Sequence, residues 1–134
     1  MADRPVVRFL SLFVPDLQAA REHYSDVLGI EPEAGDDICP AKHPFAAAGP
    51  VVFDLETIKI ALYQCDMRGT HPGDVGIGLC LQEPPDALAK RAGAAGANVF
   101  VPPRTLPGDP RKMAVFMTPD RHFFEVMGPR PSDR

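Results

Sequence analysis

Apolar and polar residues alternate over residues 7–14 in the manner of a strand, and the same alternation returns in the second half of the chain. Leu10, Leu12 and Val14 of VVRFLSLFV (6–14) recur as Ile77, Leu79 and Leu81 of GDVGIGLCL (73–81), at a constant offset of 67 residues. Gly29 and Gly96, each closing a helix-like stretch, keep that offset. A fixed spacing with one apolar face retained marks a duplicated supersecondary unit. After the first strand, Asp16 offers the oxygen an N-cap needs. LQAAREHYSDVL (17–28) then sets Leu17, Ala20, Tyr24, Val27 and Leu28 along one helical stripe. Gly29 supplies the residue that tolerates positive φ past a helix end.

Residues 31–50, rich in Pro, Gly, Ala and Asp, read as a strand remnant and a long loop. VVFDLE (51–56) and IKIALYQ (58–64) predict a hairpin, and CDMRGTHPGD (65–74) a linker. A strand over 75–82 follows, then an alanine-rich helix opened by Pro84-Pro85-Asp86 and running to about residue 95. Strands near 97–101, 112–117 and 122–127 complete the second half, with PPRTLPGDPR (102–111) too rich in Pro and Gly to be regular. Each half is predicted to be βαβββ, with module one at about 6–66 and module two at about 73–128, inside a single domain spanning 1–134. Neither helix is long or apolar enough to stand alone, so each needs a sheet to cover its stripe, and the fold class is α+β.

Composition narrows the function. A net charge of −4 without any basic run argues against nucleic acid as a partner. No apolar stretch is long enough for a bilayer, and MADRPVVRF at the start has no secretory character, so no membrane partner is expected. Three widely spaced cysteines, Cys39, Cys65 and Cys80, fit neither a disulfide framework nor a zinc pattern, which predicts a cytoplasmic protein.

VRFLSLFVPDLQAAREHYSDVLGIEP (7–32) resembles the opening of vicinal-oxygen-chelate proteins, the glyoxalase/bleomycin-resistance/dioxygenase superfamily. TPDRHFFEVMGP (118–129) is similar to their closing motif, with Thr118 and Arg121 where Asp and Gly are usual. The resemblance runs from Val6 to Gly128 and implies paired βαβββ modules whose sheets curl around a cup, helices outside, in a homodimer. It also implies where metal-using members hold their ion. The first ligand position, usually His, falls on Phe9, and its counterpart in the second module on Gly76. A carboxylate often found in the first module's last strand falls on Ala61, and the final glutamate survives as Glu125. Phenylalanine, glycine and alanine side chains have no lone pairs to give, and one carboxylate cannot hold a divalent transition metal tightly against water. No metal and no cofactor is therefore expected, and the Lewis-acid chemistry usual in such a cup has no support here.

Residues on the parity of those positions are expected to line the cup: Phe9, Ser11 and Phe13; Lys59, Ala61 and Tyr63; Gly76, Gly78 and Cys80; Phe123, Glu125 and Met127. The opposite parity (Leu10, Leu12, Val14, Ile60, Leu62, Ile77, Leu79, Phe124, Val126) is uniformly apolar and is expected against the helices. Phe9, Ser11, Phe13, Lys59, Tyr63, Cys80, Phe123 and Glu125 are the candidate ligand-binding residues, suited to a flat, partly apolar small organic molecule. Against this stands the reading that Phe9, Phe13 and Phe123 simply fill the cup. Glu125 is read as attracting a cationic group, as neutral through burial, or, the favoured reading, as pairing with Lys59. His43 and His71, in proline-flanked loops, read as surface residues or as parts of a rearranged metal site with Glu125; His23 reads as packing beside Tyr24, and His122 as facing away from the cup. Cys80 has no histidine on its strand to act as a base, and no catalytic residue is assigned.

The preferred function is metal-independent binding of a small organic molecule, with sequestration of a drug or metabolite as the form considered. The alternatives are a lyase, isomerase or dioxygenase of the same superfamily with a rearranged or metal-free site, and a non-catalytic interaction module with a filled cup.

Overall fold

A computed structural model of the chain describes residues 4–34 and 36–129. The fold is α+β, and the described chain divides into two compact units, residues 8–75 and residues 76–129 with 4–7. The first carries β1 (Val6–Val14), α1 (Leu17–Leu28), β2 (Ala46–Asp54) and β3 (Lys59–Cys65). Its strands lie in the order β2-β3-β1, with β1 parallel and β2 antiparallel to β3. The second continues from β4 (Val75–Cys80) through α2 (Asp86–Ala94), β5 (Asn98–Thr105) and β6 (Arg111–Met117) to β7 (Phe123–Pro129). Its order is β4-β7-β6-β5, with β4 parallel to β7. In both units, then, the first and last strands pair in parallel and the strands that follow the helix return antiparallel. Within 31–50, Glu33 forms a bridge to Val52 on the outer edge of β2, and β2 itself takes up the stretch from Ala46.

The helix signals act as the sequence predicts. The Asp16 carboxylate accepts from the Ala19 amide at 3.0 Å, and Gly29 takes φ 71° while its own N–H reaches the Ser25 carbonyl. The stripe of α1 is only partly covered: no α1 residue is fully buried, and Val27 is 65% exposed. Leu10, Leu12, Val14 and Ile60 are accordingly half-buried, whereas Phe9, Ser11, Phe13, Ala61 and Tyr63 on the other face are fully buried.

Two segments expected to be irregular are strand. β2 begins at Ala46 and runs through Gly49-Pro50, and β5 runs through Pro102-Pro103 to Thr105. Both are terminal strands in the strand order, and both shift register around their prolines. An edge strand has one side without ladder partners, so a missing N–H there breaks no pairing.

Candidate functional site

Parallel pairing of β1 with β3 sets Phe9 beside Lys59, Ser11 beside Ala61 and Phe13 beside Tyr63, so these candidates share one face as their parity requires. That face is covered by the segment 36–45, which buries Cys39, Pro40 and His43. The His43 ring stands edge-on to Phe13 at 5.0 Å, lies 5.1 Å from Tyr63 and 6.0 Å from Phe45, while Phe13 stacks on Tyr63 at 5.7 Å. The Tyr63 hydroxyl donates to the Pro40 carbonyl at 2.5 Å. His43 Nδ1 accepts from the Phe45 amide at 3.1 Å, which leaves the proton of the neutral ring on Nε2. Burial pushes the imidazole pKa down to about 3, against the opposing pull of Asp66. The expectation that His43 is a surface residue is therefore corrected: it is 6% exposed and sits within an aromatic cluster. A loop has no hydrophobic period, so nothing in the spacing around AKHPF marks the ring as buried.

Lys59 is paired within the first unit. Its ammonium reaches Asp36 Oδ1 at 2.7 Å and Glu33 Oε2 at 3.2 Å. The Asp36 hydrogen bond, with that of Glu33 behind it, raises the lysine pKa further above its ordinary value despite the opposing effect of desolvation. Burial alone would raise the Asp36 pKa; the Lys59 and Cys39 hydrogen bonds outweigh it and the net shift is downward. Glu33 and Asp36 lie in the stretch read as loop, which is why parity could not offer them as partners.

In the second unit, β4 and β7 set Gly76 beside Phe123, Gly78 beside Glu125 and Cys80 beside Met127. β6 adds Met117 next to Phe123, Val115 next to Glu125 and Met113 next to Met127. Glu125 is 0% exposed on a face whose Met113, Val115 and Met127 are buried as well, while Cys80 and Phe123 are half-buried. Among the described residues no buried side-chain oxygen or nitrogen lacks a hydrogen-bond partner, so the carboxylate is satisfied. It lies over Gly76: a Cβ there would come within 2.8 Å of Glu125 Cδ and within 2.9 and 3.0 Å of its oxygens. The volume that a side chain at position 76 would need is filled by the glutamate.

The metal ligand positions implied by the resemblance do not fit an ion. Phe9 and Ala61 are fully buried without donor atoms, Gly76 has no side chain, and Glu125 alone offers oxygen. Among the described residues no group of three or more His, Cys, Asp or Glu side chains converges. His23 packs on Tyr24 at 5.6 Å, His71 is exposed, and His122 is exposed beside Asp120 at 3.3 Å.

A parallel strand pair with a connecting helix and antiparallel returns, built twice in one short α+β chain, defines the class of protein. Residues 6–126 match the sequence profile of the Glyoxalase/Bleomycin resistance protein/Dioxygenase superfamily, and the chain belongs to that family. Among solved structures it is similar to the Mn(II)-bound glyoxalase from Novosphingobium aromaticivorans, at 25% identity and TM-score 0.63, over 99% of this chain and 44% of that one. The chain therefore spans less than half of that glyoxalase. A superfamily member from Vibrio splendidus 12B01 matches at 16% identity and TM-score 0.55, over 95% of this chain and 99% of that one. A hypothetical protein from Bacillus halodurans C-125 matches at 11% identity and TM-score 0.65, over 97% and 98%. These last two likenesses concern the fold alone. No curated protein matches the chain. Among the described residues no helix is long and apolar enough to cross a membrane.

Proposed function

We propose that this protein binds a small organic molecule without a metal, sequestering a drug or metabolite rather than transforming it. The reading is carried by one observation: three of the four positions where the family's metal-using members hold an ion are Phe9, Ala61 and Gly76, and the Glu125 carboxylate fills the space over the third. A site stripped of Lewis-acid ligands but rich in apolar and aromatic side chains keeps what binding needs and lacks what metal catalysis needs. The candidate contacts are, in the first unit, buried Phe9, Ser11, Phe13 and Tyr63 with half-buried Lys59 at their margin, and, in the second, half-buried Phe123 and Cys80 with buried Glu125. The active form is a cytoplasmic homodimer, to be checked by light scattering after gel filtration.

The experiment is a thermal-shift screen, followed by calorimetry, with flat aromatic compounds with and without a positive charge, in the presence of EDTA. Stabilisation that survives EDTA and weakens in Phe123→Ala and Glu125→Gln is the expected result. Binding abolished by EDTA would instead favour a superfamily lyase, isomerase or dioxygenase. The burial of Phe9, Phe13 and Tyr63 also favours a second reading, an interaction module whose face is permanently filled, and this requires that no compound shifts the melting temperature.

A further inference from the structure

Segment 36–45 does to the aromatic face of the first unit what a bound ring would do. The His43 imidazole is the inserted ring, 5.0 Å from Phe13 and 5.1 Å from Tyr63, and the Pro40 carbonyl is the acceptor for the Tyr63 hydroxyl. Held in no strand as far as Phe45, the segment has polar contacts near both ends as well as the Tyr63–Pro40 hydrogen bond between them. At one end Asp36 Oδ2 accepts from the amides of Ile38 and Cys39 at 3.2 and 2.5 Å, while its Oδ1 takes the Lys59 ammonium and Glu33 takes it from the other side. At the other end the Phe45 carbonyl accepts from the Thr70 hydroxyl at 2.5 Å.

We propose that Asp36–Phe45 is a displaceable strap, an internal stand-in for the ligand, latched through Asp36 and Glu33 onto Lys59. The molecule that replaces it is a flat, uncharged aromatic carrying a carbonyl. The ring takes the place of the imidazole against Phe13 and Tyr63, and the carbonyl takes the Tyr63 hydrogen bond from Pro40. A charged ring is disfavoured, because the same surroundings hold His43 neutral. The inference rests on the small-molecule reading above and names both the ligand class and the device that regulates access. Its thermodynamic consequence is direct: apparent affinity scales with the fraction of molecules whose strap is open, so loosening the latch tightens binding.

Benzamide is the probe, with cyclohexanecarboxamide as a control that keeps the carbonyl but not the flat ring. Hydrogen exchange is followed on the full chain for the wild type and for Lys59→Met, which removes the latch but keeps the Asp36 turn. Asp36→Asn serves as the second variant, reducing the latch charge from the strap side. The expected result is exchange over 38–45 faster by about tenfold or more in either variant, with the second unit unchanged. Benzamide, but not cyclohexanecarboxamide, binds the variants correspondingly tighter than the wild type, and it speeds rather than slows exchange over 38–45 in the wild type. Unchanged exchange in both variants, benzamide protection of 38–45, or a loosened strap with unaltered benzamide affinity would each overturn the strap. If that happens while other aromatic compounds still stabilise the wild type in EDTA, the binding reading stands without it. If no compound binds wild type or variant, both fall.

Discussion

At position 76 a carboxylate stands in the space of a side chain, and the consequences can be measured. Gly76→Ala puts a Cβ 2.8 Å from Glu125 Cδ, so the buried carboxylate must shift. A destabilisation of about 1–3 kcal/mol is expected by denaturant titration. Glu125→Ala removes the obstruction and should absorb most of the added cost, giving a coupling of about 1 kcal/mol or more in a double-mutant cycle. Glu125→Gln, of equal length, should not. His43 gives a second prediction. Its folded pKa, about 3, lies below the ordinary 6.5, so the unfolded chain takes up a proton that the native ring refuses. Its contribution to stability is full above pH 6.5 and is lost as pH falls from there toward 3, at up to about 1.4 kcal/mol per pH unit. His43→Phe keeps a ring and should flatten the upper part of that window, before carboxylates begin to titrate. Strand parity was enough to put Phe9, Ser11, Phe13 and Tyr63 on one face and Gly76, Phe123 and Glu125 on another. The partners of Lys59 and the burial of His43 were hidden because Glu33, Asp36 and His43 all lie outside the helices and strands, where the chain carries no hydrophobic period.

Among the elements, the helices and central strands were legible because caps, glycines and alternation agree locally. The prolines of β2 and β5 misled, since composition cannot tell an edge strand from a loop; only the strand order reveals that a missing N–H is harmless there. The same prolines and register shifts discourage pairing of these edges with other chains. Helix α1 is the weakly held element, because no residue of it is fully buried. Asp16→Ala removes the cap hydrogen bond and should cost about 1 kcal/mol. Exchange of α1 amides should quicken more than that of β3, whose Ala61, Leu62 and Tyr63 are fully buried. Equal acceleration in both would mean that the helix opens only with the whole unit.

For the whole molecule, family membership establishes the fold, and the chemistry turns on a few side chains. A superfamily that includes a Mn(II)-bound glyoxalase contains this chain too, yet Phe9, Ala61 and Gly76 have nothing to offer a cation. Ligand binding is proposed to need no metal. The most direct test is metal analysis of the purified protein by plasma mass spectrometry, after incubation with Mn, Fe, Ni and Zn salts and exhaustive gel filtration. Only trace metal is expected, with the melting temperature unmoved by EDTA. Near-stoichiometric retention of any one of these ions, with stability or activity lost on chelation, would contradict it.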